Sequence, residues 1–319
     1  MLTDVVIVNW NSKELLRRCL RSLAALDPGE RQGIGRVVVV DNASTDGSAD
    51  VPDLAAQLPL EVMSNSSNMG FAAACNRGAA AGCGGAILFL NPDVVVAAGA
   101  IARPAGHLAA GEAAQIGIVG IKLCDADGTP QRCTVRFPTP LRLCAQSIGL
   151  DRLLPGLGVG VFDSGWDHAT TRDVDQVMGA FLVIRRSLFQ SLGGFDERFF
   201  VYYDDVDLCY RARLAGWRSV HLAEAHAEHD GQGTTRQVKD VRLFYILRSR
   251  LLYARKHFSK PGQTAVALAT LALEPVSRAA LLLARGSFSE LRDLAKGYLL
   301  LYAAVPRLND PRLRRLPVM

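Results

Sequence analysis

Four aspartates crowd one short stretch of this chain. Asp204, Asp205 and Asp207 follow the aromatic run Phe199, Phe200, Tyr202 and Tyr203, with Asp196 upstream, in GGFDERFFVYYDDVDLCYRARLAGW (residues 193–217). Adjacent carboxylates repel, so one of Asp204 and Asp205 is expected to have a raised pKa and to suit proton abstraction. The plainer reading is helix capping. Asp204 would cap a helix carrying Leu208, Tyr210 and Arg211, Asp207 would sit in its first turn, and Gly216 would end it. Two further groups suit a metal or a phosphate. Asp93 follows a rigid proline in Asn91-Pro92-Asp93, which suits a metal on a diphosphate and is also ordinary turn chemistry. His229 opens a Gly-rich HDGQGT segment that can approach a ligand closely, the alternative being a solvent-exposed loop histidine.

These groups need a scaffold, and the hydrophobic pattern supplies one. Val5–Val8, Val37–Val40, Leu60–Met63 and Ala86–Leu90 are short apolar runs that read as strands. Between them Leu15, Leu16, Cys19, Leu20 and Leu23 keep helical spacing after a capping pair Asn11-Ser12, and Phe71–Ala81 is a small-residue helix. Strand alternating with helix indicates α/β architecture, a mostly parallel sheet flanked by helices. Ligands bind such sheets beyond the carboxyl ends of the strands, where Asp41, Asn68 and Asp93 fall. An acid ending the second strand suits a ribose or a base edge. Further on, a helix is expected over 97–111, strands over 116–123, 179–185 and 219–222, a hairpin turn at Asp125–Gly128, and a mobile Pro- and Gly-rich loop over 134–166.

Composition narrows the function. The 319 residues are 49% hydrophobic, enough for a sizeable core. The net charge of +5 is too small to mark a nucleic-acid binder. Seven scattered cysteines without CxxC spacing fit a reducing cytosol and not a zinc site. Asp4 lies at once beside a strand, so no signal peptide is expected. No GxGxxG follows the first strand and no GxxxxGK[ST] occurs, which argues against a dinucleotide dehydrogenase and a Walker-type loop.

Six segments occur in order: VVIVNWNS, VVVVDNASTDGS, NMGFAAACNRG, LFLNPDV, the GGFDERFFVYYDDVDLCYR block and HDGQGT. Over residues 1–258 the chain resembles family 2 glycosyltransferases of the GT-A fold, most closely the bacterial rhamnosyltransferase-like branch. The resemblance implies transfer, with inversion, from a nucleotide-diphospho-sugar such as dTDP-rhamnose to a lipid-linked or saccharide acceptor in cell-wall or polysaccharide assembly. It implies a donor site at Asn9, Asp41, Asn42, Asn68, Gly70, Phe71, Arg77 and Asn91, with Asp41 on the nucleobase. Asp93 matches the metal-binding acid of the DxD element, which here reads Asn-Pro-Asp, and His229 a second ligand to Mg²⁺ or Mn²⁺. Asp205 matches the general base of the family's Glu-Asp pair, here Asp204-Asp205, and Asp207 is left a structural role. The QxxRW motif of processive relatives is absent, which favours a single addition per encounter.

The chain is expected to divide into a GT-A domain over 1–239 and a helical region over 240–319. The second interleaves arginine with aromatic and aliphatic residues over 241–258. Its apolar stretch, 264–284, contains Glu274, Pro275 and Arg278, which leaves too short an uncharged run for a membrane span. Two helices lying on the catalytic domain or on a membrane surface are expected instead, with the protein cytoplasmic and peripheral at the inner face of the cell membrane. Two rival functions share the scaffold. A catalytically inactive nucleotide-sugar binder would not need Asp93, Asp205 and His229 together. A nucleotidyltransferase would show a glycine-rich loop after the first strand, and Asn9–Lys13 has no glycine.

Overall fold

A computed structural model describes residues 1–110, 114–154, 158–162, 166–231 and 239–308. It divides into two compact units. The first comprises Met1–Val135, Gly165–Glu197 and Asp204–Thr234; the second comprises Arg136–Ser164, Arg198–Tyr203 and Thr235–Met319.

The first unit is built on strand β1 (Thr3–Asn9), every residue of which is buried. Strands β2 (Ile34–Asp41) and β3 (Leu60–Ser64) lie parallel on one side of it and β4 (Ala86–Leu90) parallel on the other. Helix Glu14–Ala24 buries Leu16, Cys19, Leu20 and Leu23, one face at helical spacing. Asn11 and Ser12 do not cap it by a side chain: residue Lys13 takes the cap position, and the Ser12 hydroxyl turns to the Asn9 side chain. Helix Phe71–Ala81 lies close to the sheet because its residues are small. A Cβ at Gly78 would stand 2.5 Å from a Val6 methyl and 3.0 Å from one of Val40.

Beyond β4 the sheet changes character. The remaining strands are β5 (Val94–Val96), β6 (Ile116–Cys124), β7 (Arg172–Val174), β8 (Phe181–Arg185) and β9 (Arg218–His229). The order is β3-β2-β1-β4-β8-β6-β9-β5, with β7 also on β9. β8 runs antiparallel to both β4 and β6, β6 is parallel to β9, and β5 is antiparallel to β9. The expected strand 219–222 is therefore longer: it runs to His229, which ends the strand and does not stand in a loop. The helix expected over 97–111 spans Ala102–Ala110. Its start is set from far away: the Glu30 carboxylate accepts the amides of Gly99, Ile101 and Ala102 at 2.8–3.1 Å.

In the second unit the stretch read as a mobile loop contains helices Pro140–Ser147 and Leu150–Leu153. Leu143 packs with Ala254 of helix Lys239–His257 and with Val266. The apolar tail is not broken at Glu274-Pro275. Residues 260–284 form one continuous helix of 25 residues that passes through a π-helical turn at Ala269–Leu273. Pro275 has no N–H to give the preceding turn. The Tyr302 and Tyr298 hydroxyls instead donate to the carbonyls of Leu271 at 2.7 Å and Thr270 at 3.2 Å. Glu274 is buried and paired with Arg250 and Arg278. By length and composition this helix is sufficient to cross a membrane, a test that a soluble core helix also passes.

Candidate active site

The carboxyl ends of the parallel strands carry a polar cluster. Asn9, the last residue of β1, pairs in register with Asp41, the last of β2. Its Nδ2 donates to Asp41 Oδ1 at 2.8 Å and to the hydroxyls of Ser44 and Ser48 at 3.1 and 2.9 Å. Asp41 Oδ2 accepts the Ser44 amide at 3.1 Å, which shapes the DNASTDGS turn. Next along, Asn42 Nδ2 donates to the Gly70 carbonyl at 3.2 Å and Asn42 Oδ1 accepts from Asn65 Nδ2 at 2.7 Å. Asn68 Oδ1 accepts the Gly70 amide at 2.9 Å. Gly70 holds φ 83°, where a side chain would be strained, and opens the helix that begins at Phe71. Asn9, Asp41, Asn42, Asn68, Gly70 and Phe71 thus fall within one run of strand ends. Arg77 lies on the same helix and donates to the Ser64 carbonyl at 2.8 Å and to the Asn65 side chain.

The second cluster follows from strand register. Asp93 immediately precedes β5, whose first residue, Val94, stands opposite His229 in β9. His229 Nε2 is consequently 3.5 Å from Asp93 Oδ1, and the Asp230 amide donates to the Asp93 carbonyl at 3.1 Å. On the other side of the imidazole, Nδ1 is 2.8 Å from Gln131 Oε1. Gln131 Nε2 donates to the His229 carbonyl at 2.7 Å and to Asp125 Oδ1 at 2.6 Å. A carboxylate oxygen and an imidazole nitrogen facing one point form a donor pair that suits Mg²⁺ or, better, Mn²⁺. Among the described residues no group of three or more His, Cys, Asp or Glu forms a complete protein cage. Gln232 to Thr234 of the HDGQGT segment lie outside the described residues.

The third cluster is the acidic helix start, Asp204–Leu214. Antiparallel pairing of β4 with β8 sets Leu90 against Phe181, and the Asn91 amide donates to the Ala180 carbonyl at 2.9 Å. The carboxyl end of β4, which leads to Asp93, therefore lies beside the amino end of β8, which begins after Gly179. Asp205 Oδ2 accepts the Gly179 amide at 2.9 Å and Gln176 Nε2 at 2.8 Å. Its Oδ1 accepts the Val206 amide at 2.7 Å. Gln176 cannot turn its amide round, because its Oε1 accepts the Val135 N–H at 3.0 Å.

The three acids have different environments. Burial, reinforced by the Asp205 charge, holds the Asp204 carboxyl well above its ordinary value, and among the described residues Asp204 Oδ2 has no hydrogen-bond partner. Burial also raises Asp205, but the Gly179, Val206 and Gln176 donors oppose that rise. Of the two, Asp204 is raised further, so Asp205 is the more readily ionised. Asp207 is fully buried and bound by Arg211 Nε at 2.7 Å, while the same guanidinium donates to the Leu192 and Gly194 carbonyls. Just before the acids, Tyr202 and Tyr203 each hold φ 65°, a conformation that costs an ordinary residue about 1–2 kcal/mol.

Gln176 and Gln131 carry no signal in the sequence. Glutamine carries no periodic or motif signal, and its role appears only once a distant partner is in place.

The architecture is that of the GT-A glycosyltransferases. It is shared with a mannosyltransferase from Pyrobaculum calidifontis, solved in complex with GDP-Man and Mn²⁺, at a TM-score of 0.56 and 21% identity over 97% of this chain and 87% of that one. A profile of Glycosyl transferase family 2 matches residues 4–159. The chain is 31% identical over 252 residues to an N-acetylglucosaminyl-diphospho-decaprenol L-rhamnosyltransferase of Mycobacterium tuberculosis, covering 72% of this chain and 76% of that protein. It is 25% identical over 267 residues to a low-salt glycan biosynthesis hexosyltransferase of Haloferax volcanii, covering 82% and 78%. The chain belongs to glycosyltransferase family 2, in its rhamnosyltransferase branch.

Proposed function

We propose that this glycosyltransferase moves one sugar, with inversion, from a nucleotide-diphospho-sugar to a hydroxyl of a lipid-linked or saccharide acceptor in cell-wall or polysaccharide assembly. Asp205 is the general base, with Asp204 in support, and Asp93 and His229 are the metal ligands. The observation that carries this reading is the pairing of β4 with β8, which puts the Asp205 anchor at Gly179 beside the strand end that leads to Asp93. A base and a diphosphate site at one end of one sheet are what a single displacement needs.

In that displacement the acceptor oxygen forms a bond to the anomeric carbon while the bond from that carbon to the diphosphate oxygen breaks. The leaving nucleoside diphosphate keeps the electron pair, and the acceptor proton passes to Asp205. A divalent cation would stabilise the charge gathering on the diphosphate. Attack on the face opposite the leaving group needs one base, so Asp204 stays protonated and Asp207 stays with Arg211. The polar cluster from Asn9 to Gly70 receives the nucleoside, and Asn91 lies at the strand end where the diphosphate enters. The donor is dTDP-rhamnose, a choice supported by the rhamnosyltransferases among the relatives.

The acceptor carries a lipid, and the enzyme works at the cytoplasmic membrane surface. The decaprenol-linked substrate in the relative's name supports this, as do Leu268, Leu273, Val276 and Leu283, exposed along helix 260–284, and exposed Phe288. A thermal-shift screen of dTDP-, UDP- and GDP-sugars, with and without Mn²⁺, tests the donor. A true donor raises apparent stability by mass action. A shift with dTDP-rhamnose that requires Mn²⁺ is expected. A shift only with another nucleotide would overturn the donor, and none with any would overturn the activity.

A further inference from the structure

The turn after β6 has an arrangement that the transfer reaction does not explain. Asp125 and Thr129 close it through a 2.9 Å backbone bond, and Gln131 returns antiparallel with its amide on the Leu123 carbonyl at 2.8 Å. Because β6 pairs with β9 so that Cys124 matches Glu228, the returning Gln131 reaches the next residue of β9, His229. Its carboxamide then makes three bonds: Nε2 to Asp125 Oδ1, Nε2 to the His229 carbonyl, and Oε1 to His229 Nδ1.

The partners fix the orientation of Gln131 and the proton on His229 Nδ1. A carboxylate oxygen and a carbonyl oxygen can only accept, so the nitrogen of the Gln131 amide must face both. The flipped amide would put its oxygen 2.6 and 2.7 Å from two other oxygens with no hydrogen between them. Gln131 Oε1 must then face the imidazole, and an amide oxygen can only accept. His229 Nδ1 therefore carries the hydrogen. In the neutral ring that leaves Nε2 without a hydrogen, 3.5 Å from Asp93 Oδ1.

We infer that Gln131, oriented by Asp125, is a positioning residue that holds His229 in the Nδ1–H tautomer, so that Nε2 is presented to the cation site beside Asp93. The inference rests on the proposed metal role of Asp93 and His229 for its purpose, but not for the tautomer itself. A histidine ligand commonly donates its second ring nitrogen to a fixed acceptor, and removal of such a partner lowers metal affinity about 10–100-fold.

Two measurements on the full chain test it separately. Long-range ¹H–¹⁵N spectra of histidine-labelled, metal-free protein at about pH 8, where an ordinary imidazole is neutral, read the tautomer directly. The wild type is expected to show His229 as Nδ1–H. An Nε2–H ring in the wild type overturns the inference with no variant needed. In Gln131→Met, which keeps the length and removes the acceptor, the ring is expected to move toward Nε2–H. Mn²⁺ titration of the same proteins should show affinity lower by about 10–100-fold in Gln131→Met. Equal Mn²⁺ affinity in wild type and Gln131→Met overturns the positioning role. If the wild type shows the Nδ1–H ring yet binds no Mn²⁺, the metal reading fails and the tautomer assignment stands.

Discussion

The Gly179 amide donates to Asp205 Oδ2 across 2.9 Å, joining the residue that leads into β8 to the first turn of the acidic helix. With Gln176 on the same oxygen, this bond sets the direction of the carboxylate and favours its ionised form. Asp205→Asn keeps the shape and removes the proton acceptor. The turnover number should fall by roughly 10²-fold or more, with donor affinity nearly unchanged. Asp204→Asn should cost less. Asp207→Asn should act on stability, by about 1–3 kcal/mol, because it weakens a buried charge-assisted bond to Arg211. Steady-state transfer and donor titration on all three variants decide the matter. If Asp205→Asn turns over normally while either neighbour fails, the base is misassigned.

Gln176→Leu removes one of the donors that lower the Asp205 pKa, and the group is already raised by burial. The carboxyl should rise further, so the acid limb of the kcat/KM profile should move to higher pH. An unshifted limb would show that Gln176 does not tune the base.

Asp204 connects pH to stability. Its folded-state pKa is raised, so the folded chain holds a proton that the unfolded chain releases above about pH 3.9. This contribution is fully present below that value and is lost as pH rises through the folded pKa. Asp204→Asn removes the burial cost of the charge. It should flatten the decline, by about 1.4 kcal/mol for each unit by which the folded pKa is raised. Urea unfolding at several pH values measures it, and identical pH profiles for variant and wild type would refute the assignment.

The cation site predicts a coupled loss. EDTA should stop transfer and Mn²⁺ or Mg²⁺ should restore it, while Asp93→Ala should abolish turnover and weaken donor binding. Full transfer by folded Asp93→Ala in EDTA would exclude a metal role.

Membrane attachment is open to a simple wash. Peripheral attachment through exposed basic residues such as Arg255, Lys260 and Arg285, beside the apolar helix face, should be released from anionic vesicles by high salt. Resistance to both salt and carbonate would instead mark helix 260–284 as a span.

The sequence by itself determined the parallel half of the sheet and the places where its chemistry could lie. Runs such as Val37–Val40 can be buried on two faces only in a helix-covered sheet, and polar residues at their ends mark the ligand side. The acid-rich turn was legible because a cluster of charge is a local signal. Tertiary structure alone decided how those places combine. Antiparallel insertion of β8 between β4 and β6 leaves no local trace, yet it brings Gly179, and with it Asp205, to the end of β4. Extension of β9 through His229 depends on its pairing with β5, whose three residues are too few to read as a strand. Gln176 reaches Asp205 across 29 positions and Gln131 reaches His229 across 98. The continuous tail helix depends on Tyr298 and Tyr302 satisfying carbonyls about thirty residues away. A hydrogen bond needs its partner within about 3 Å, and only the register of the folded strands and helices fixes which distant residues come that close.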